Sequence, residues 1–334
     1  MEDEAGAPAI SAVIDPATID APASPEHAAS TEYAAVTLYE HRGWFKYLLP
    51  ACVPGAARLK VRFGETAEDV LARLDPGCST FVFHINLTLS ARVPLDREAL
   101  IGGLQARGIA TCNAQLTDIS KRTLHAVCAR AGVASPRAGR EGDPEERVVV
   151  KTTYNFHGVR EAALAVELRQ LLGYEAPHDL PRRQDTEYRI VARREVPEPV
   201  WTSPHWVVER YIVNSAHRFH RVYVAGDAMV VSRVFDPSTF KKMPEGIPRE
   251  SFYMTVSAPA RAPEVPAEIA TVAELCARIV RAGKVDYGAI DVVNDDHGGY
   301  YVIDINATPF WGDGGHPTLL AYLGAGLVGE RHGG

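Results

Sequence analysis

Gly288-Ala289-Ile290-Asp291-Val292-Val293, then Asn294-Asp295-Asp296-His297-Gly298-Gly299, then Tyr300-Tyr301-Val302-Ile303-Asp304-Ile305-Asn306: two β-branched runs flank a turn rich in Asp and Gly. The pattern predicts a β-hairpin. Strand side chains alternate faces, and a two-residue turn at His297-Gly298 sets Asp291 opposite Asp304. In that register Ile290, Val292, Ile303 and Ile305 share an apolar face, while Asp291, Asp304 and Asn306 share the other. Asp is disfavoured in strands, and like charges placed opposite each other repel, so something must compensate. A hard divalent cation would, because magnesium takes carboxylate and amide oxygens alongside water and phosphate. The alternative is a solvated face whose acids are ion-paired at the surface, as one-sided antiparallel sheets ordinarily show.

Outward from the hairpin, the chain reads as a multidomain α/β protein. Its 334 residues suit two or three domains, and 46% hydrophobic with 23% charged residues excludes wholesale disorder. Residues 1–32 are rich in Ala, Pro and acids and predict a disordered acidic tail. They hold seven acids and no Lys or Arg, so the remaining 35 acids balance 35 Lys plus Arg. A balanced body offers no electrostatic reason to bind nucleic acid or an anionic membrane. No apolar run approaches the roughly 18 residues of a membrane span, and the start is not that of a signal peptide. Five scattered cysteines without a CxxC pair argue against a disulfide framework or a zinc site, and for a cytoplasmic location.

Residues 33–115 alternate strands (35–39, 79–87, 109–112) with helices (68–74, 95–108), predicting a small parallel α/β domain. Gly108 supplies a left-handed cap to the second helix. From Leu116 a new unit begins: Asp118 caps a helix over 119–131 that Gly132 ends, and Val148-Val149-Val150-Lys151 forms an apolar strand ending in a cation. A helix over 161–172, a loop-rich stretch at 177–200, strands at 206–212, 221–224, 229–234 and 253–256, and a helix at 269–282 precede the closing hairpin.

These pieces, in this order, resemble the ATP-grasp superfamily, especially its carboxylate–amine ligases such as D-alanine–D-alanine ligase and bacterial glutathione synthetase. Asp291…Asp304-Ile305-Asn306-Ala307-Thr308-Pro309 resembles the end of that fold that holds two magnesium ions (or manganese). By that resemblance Asp291 binds one ion, Asp304 bridges both and Asn306 holds the second. Asp118-Ile119-Ser120-Lys121 with Gly132-Val133-Ala134-Ser135-Pro136 resembles the opening motif, and Lys151 the strand lysine that reaches ATP. Val207-Val208-Glu209-Arg210-Tyr211-Ile212 resembles the adenine hinge, with Glu209 and the Ile212 N–H as base contacts. Arg221 resembles the phosphate-binding arginine, Arg233 a second arginine near the γ-phosphate, and Gly158 belongs to the phosphate-covering loop. The implied architecture is two α+β lobes, 116–205 and 206–334, enclosing the nucleotide.

The chain departs from the family pattern at three places. Thr152–Gly158 holds one glycine where such loops hold several, no acid stands between Arg210 and Gly226 to hold a ribose, and Ala289 replaces an arginine. The last argues against the D-alanine pair as substrates. The resemblance implies ATP and magnesium as cofactors, and small-molecule carboxylate and amine substrates (amino acid or peptide). Relatives of this kind often form homodimers. The implied reaction is phosphorylation of a carboxylate to an acylphosphate, then attack by the amine. A kinase acting on a hydroxyl and a non-catalytic nucleotide-binding regulator are the competing functions. Phe310-Trp311-Gly312-Asp313-Gly314-Gly315-His316 is a candidate substrate loop. Taken singly, Lys121 reads as a solvated lysine of a first helical turn. Arg221 and Arg233 read equally well as cross-strand ion-pair partners, and His84 and Asn86 as local hydrogen bonders.

Overall fold

The computed structural model describes residues 32–41, 47–174, 188–240, 249–259, 265–310 and 316–329. The expected acidic tail, part of the loop-rich stretch and most of the candidate substrate loop lie outside these residues. Among the described residues the architecture is mixed α/β, built on three sheets.

The first sheet is wholly parallel, in the order β2-β1-β3-β4, from β1 (Val36–Glu40), β2 (Ala57–Lys60), β3 (Thr80–His84) and β4 (Ala110–Cys112). Helices α1 (Leu48–Cys52), α2 (Ala67–Ala72) and α3 (Arg97–Ala106) accompany it. Gly108, at φ +71°, ends α3 as its sequence position requires. Strand β2 escapes sequence reading because it is a four-residue edge strand whose Arg58 and Lys60 face outward.

The second sheet is antiparallel, β6-β5-β7, from β5 (Arg147–Thr152), β6 (Arg189–Ala192) and β7 (Trp206–Arg210). Its approach is helix α4 (Lys121–Ala131), whose cap differs from expectation. Ser120 is the N-cap, accepting the Thr123 N–H, while Asp118 accepts from Ser120 N–H and the Thr123 hydroxyl. The Gly132 stop holds, at φ +62°. The single helix expected over 161–172 is instead two short ones, α5 (Val159–Ala162) and α6 (Val166–Leu171), and α7 (Glu198–Thr202) precedes β7.

The third sheet is antiparallel, β10-β9-β8-β11-β12: β8 (Arg218–Ala225), β9 (Ala228–Phe235), β10 (Arg249–Thr255), β11 (Tyr287–Asn294) and β12 (Tyr300–Asn306). One face buries Val222, Val231, Ile290, Val292, Val302 and Ile305 against α4 and α8 (Ala267–Gly283), forming the largest core. The other face packs Tyr223, Ala225, Tyr287 and Ala289 on the parallel sheet and on a terminal helix, α9 (Pro317–Val328).

The hairpin reaches its expected register by a different route. Asp291 does lie opposite Asp304 and Ile290 opposite Ile305. The turn, however, is a longer one: the Asp295 N–H donates to Gly299 O at 2.9 Å, and the Asp295 carboxylate accepts from the His297 and Gly299 N–H groups. That shifts the outer ladder by one residue, so Val292 faces Val302. A β-bulge at Ile303 then restores the register. The expected placement of Ile303 beside Val292 is therefore corrected. The extra residue turns away from the main core and packs with Phe219, Val234 and Val293 on the opposite face.

Candidate functional site

Three elements converge on the acidic face of β11 and β12. Strand β8 pairs with β11 so that Arg221 lies opposite Asp291, its guanidinium 3.6 Å from the Asp291 carboxylate. Helix α4 brings Lys121, whose ammonium donates to Tyr154 O at 3.2 Å and lies 3.5 Å from Asp304 Oδ1. Strand β5 carries Lys151 one residue before its end, and the ammonium donates to the carbonyl oxygen of the bulge residue, Ile303, at 3.4 Å. Lys121 is 1% exposed, so its reading as a solvated lysine fails. A buried cation needs anionic company, and Asp304 supplies it. Burial opposes the Lys121 charge, yet Asp304 above all, with Tyr188 and Glu209, holds the ammonium above the ordinary lysine range.

Asp291 is held in the opposite sense. Burial pushes its carboxyl up and Asp304 adds to this, while Arg221, Lys121 and Lys151 pull it down without prevailing. Arg221 itself is raised, because Asp291 and Asp304 outweigh its burial. Both groups are raised, with opposite consequences for charge: two acids favour the arginine cation, whereas burial and the like charge of Asp304 disfavour the aspartate anion. One oxygen of Asp291 and the Nε of Arg221 are buried without a hydrogen-bond partner. Asn306 follows on the same face, its Oδ1 accepting the Thr308 N–H at 2.9 Å.

Beyond the bulge, a cavity of about 180 Å³ opens between the three-stranded sheet and the end of the five-stranded one. Lys151, Glu209 and Tyr211 line one side, Val293 and Ile303 the other, and Ile212 and Tyr188 also reach it. Glu209, 3% exposed, meets Lys151 at 2.6 Å and His125 at 3.0 Å. Burial alone would raise its carboxyl, but Lys151 and His125 bring it below the ordinary value. His125 was not singled out from sequence, although it stands four residues after Lys121 on one helix and so shares its face. An aromatic series, His157–Tyr188–Phe240, with ring centres 4.6 and 5.2 Å apart, reaches the cavity through Tyr188 and Phe240 and was also missed.

The glycine-poor loop after Lys151 turns at a cost. Phe156 (φ +46°) and His157 (φ +58°) adopt left-handed backbone ahead of Gly158 (φ +75°), a conformation disfavoured for side chains with a Cβ. Gly158 is buried against Tyr154.

Lys121, Lys151, Glu209, Arg221, Asp291 and Asp304 are thus joined by direct contacts or electrostatic coupling, with Asn306 alongside and Ile212 at the cavity wall. Arg233 is not among them. It projects from the opposite face of β9, in ion pairs with Glu250 and Glu268. Among the described residues no group of three His, Cys, Asp or Glu side chains is arranged for a metal. The oxygen set here is two carboxylates and an amide, with one carboxylate oxygen unpaired. That set suits a hard cation bound together with phosphate and water, not an ion held by protein alone. All five cysteines are buried free thiols, and no described helix is long and apolar enough to cross a membrane.

No protein-family model and no curated protein matches the chain. Among solved structures it is similar to the ATP-grasp ligase PsnB, complexed with a phosphomimetic variant of a minimal precursor, Mg and ADP. The identity is 12% over 88% of this chain and 97% of that one, with a TM-score of 0.48. It is also similar to a RimK domain ATP-grasp protein from Sphaerobacter thermophilus, at 15% identity over 88% and 98% of the two chains, TM-score 0.46. A Chryseobacterium gregarium RiPP-associated ATP-grasp ligase, complexed with ADP and a leader and core peptide, aligns at 12% over 88% and 95%, TM-score 0.46. Likenesses this distant assign the chain to no family and decide nothing about its chemistry.

Proposed function

We propose that the chain is an ATP-grasp ligase that joins a carboxylate to an amine at the expense of ATP. One observation carries the reading. Lys121, Lys151 and Arg221, from three separate elements, converge on two directly opposed aspartates at the end of a cavity between two sheets. Two half-buried acids would not be set opposite each other for stability alone, since their mutual repulsion costs free energy.

The cavity takes the base and ribose, with Glu209 and the Ile212 backbone meeting the base edge and Val293 and Ile303 its faces. Asp291, Asp304 and Asn306 hold magnesium, which when bound would neutralise phosphate charge. Lys121 and Lys151 orient the phosphates, and Arg221 stabilises charge on the transferring phosphoryl group. The carboxylate oxygen attacks the γ-phosphorus and ADP leaves. An amine then attacks the acyl carbon, phosphate leaves, and the amide forms. Alignment supplies much of that second step. An amino acid or peptide fits either substrate role. Arg233 has no part in this proposal.

The strained, glycine-poor turn at Phe156-His157 favours a second reading, in which the nucleotide is bound without turnover. Hydroxylamine trapping separates the two. Hydroxamate formation and ADP release with a panel of carboxylates are the expected results. Tight Mg-ATP binding with no ADP from any carboxylate would favour the regulator, and a stable phosphoester product would favour a kinase.

A further inference from the structure

Asn306 cannot serve a cation unless its amide presents oxygen and not nitrogen, and the two are interchangeable by a simple flip. The Thr308 N–H fixes the choice. It donates to Asn306 Oδ1 at 2.9 Å, so that atom is the oxygen, and its second lone pair remains for a ligand. Thr308 is buried, and its hydroxyl donates to Asn86 Oδ1 at 3.1 Å. Asn86 lies 222 residues earlier, just past β3 of the parallel sheet. Its own amide is oriented in turn, because Nδ2 donates to the Tyr47 hydroxyl. Tyr47 is itself tied to the far side of the same segment. It forms a β-bridge with Phe310, and the Leu48 N–H donates to Pro309 O at 2.9 Å. Its ring meets that of His84 edge-on at 5.4 Å, and His84 is held by Glu40 at 2.8 Å.

We infer that Asn86 is a positioning residue for the metal site: through Thr308 it fixes the Asn306 amide, so the parallel domain sets the affinity for the second cation. The inference rests on the nucleotide–metal reading above. The Asn86 amide bridges the Thr308 hydroxyl and the Tyr47 hydroxyl, so its removal breaks both bonds at once. Partners that orient a ligand from outside the coordination sphere typically contribute about 10–100-fold in metal affinity. Without the relay, Thr308 is free to rotate its hydroxyl, and the turn that presents Asn306 keeps only the backbone ties beyond it, at Pro309 and Phe310.

The test is calorimetric titration of ADP, with magnesium and with EDTA, into the full chain and into Asn86→Leu, Asn86→Asp and Thr308→Val. Asn86→Leu keeps the branched shape and the number of side-chain heavy atoms and removes both bonds, whereas Asn86→Asp keeps an acceptor for Thr308 and for the Tyr47 hydroxyl. Thr308→Val keeps the backbone turn and the shape of the side chain. Asn86→Leu and Thr308→Val should each weaken Mg-ADP about tenfold or more while metal-free ADP binds as in wild type. Asn86→Asp should restore most of the loss. Unchanged Mg-ADP affinity in the first two variants, or an equal loss with and without magnesium, would overturn the inference. An Asp304→Ala control separates the levels. If it too leaves Mg-ADP unaffected, the metal reading itself fails; if it weakens Mg-ADP while Asn86→Leu does not, only the relay does.

Discussion

Asp291 and Asp304 stand directly opposite each other on adjacent strands, and Arg221 stands opposite Asp291 on its other flank. The row Arg221–Asp291–Asp304 crosses three strands on one face, with Lys121 closing it from above the sheet. A cation between two acids is an ordinary arrangement. Two acids adjacent to each other with cations only at the ends are not, and the strain has measurable consequences.

Asp291 is the member that bears the cost. Its carboxyl is raised, by burial first and by Asp304 next. A raised carboxyl favours the fold only in its neutral form, so above the ordinary aspartate range its charge works against stability. Asp291→Asn should therefore raise the melting temperature in buffer without magnesium and abolish any stabilisation by Mg-ADP. Scanning calorimetry with and without Mg-ADP checks both. A variant that melts lower and still responds to Mg-ADP would show that Asp291 is structural.

Lys151 and Glu209 behave as a buried pair, 6% and 3% exposed. Removing one partner strands the other, at a cost of about 3–5 kcal/mol for a well-buried pair. Glu209→Leu should fall in that range by urea denaturation, and the Lys151→Met/Glu209→Leu double variant should recover much of it. Strict additivity of the two single effects would mean that the pair is not coupled.

The acid response should begin above the carboxylate range, at His220. Burial drives its imidazole down to about 4 against the pull of Glu268, with Arg233 and Arg218 assisting. Glu268 Oε1 lies 2.9 Å from His220 Nε2 but off the hydrogen-bond line, and the Tyr300 ring stands 6.2 Å from the imidazole. The unfolded chain takes up a proton near pH 6.5 and the folded chain only near 4, so stability falls as pH drops through that window. The fall is on the order of 3 kcal/mol. His220→Gln should flatten the stability–pH curve there; an unchanged slope would contradict the assignment.

Gly324 sits inside α9, where alanine would ordinarily improve a helix by about 1 kcal/mol. Here a Cβ would run into the carbonyl oxygen of Cys52 and the hydroxyl of Tyr33. Gly324→Ala should therefore destabilise, by about 1–3 kcal/mol as overpacked sites do. A rise in melting temperature would mean that α9 does not dock on α1 as described.

Gly324 and its neighbour Gly326 also explain why α9 was missed in the sequence. Gly324 and Gly326 weaken a helical pattern by propensity, and the close approach that needs them, to Cys52 and to Ala225, is visible only in three dimensions. The hairpin was legible because alternation and turn chemistry are local, and the pairing of Asp291 with Asp304 is found in the fold. The longer turn and the bulge at Ile303 were not, since the two irregularities cancel at Asp291 and leave the alternation there undisturbed. Lys151 and Glu209 were readable as charges set in apolar strands. Lys121 was not readable from its own turn of helix, because its burial depends on Tyr154 and Asp304, 33 and 183 residues away. Arg233 matched the family pattern by its place in the sequence, but the alternation of β9 turns its side chain to the α8 face.

The central claim is that the opposed aspartates bind metal together with a nucleotide. Its most direct test is calorimetric titration of ATP into wild type and into Asp304→Ala, with and without magnesium. The account predicts binding to wild type that requires magnesium and is lost or strongly weakened in the variant. Magnesium-independent binding of equal strength to both proteins, or no binding to wild type, would contradict it.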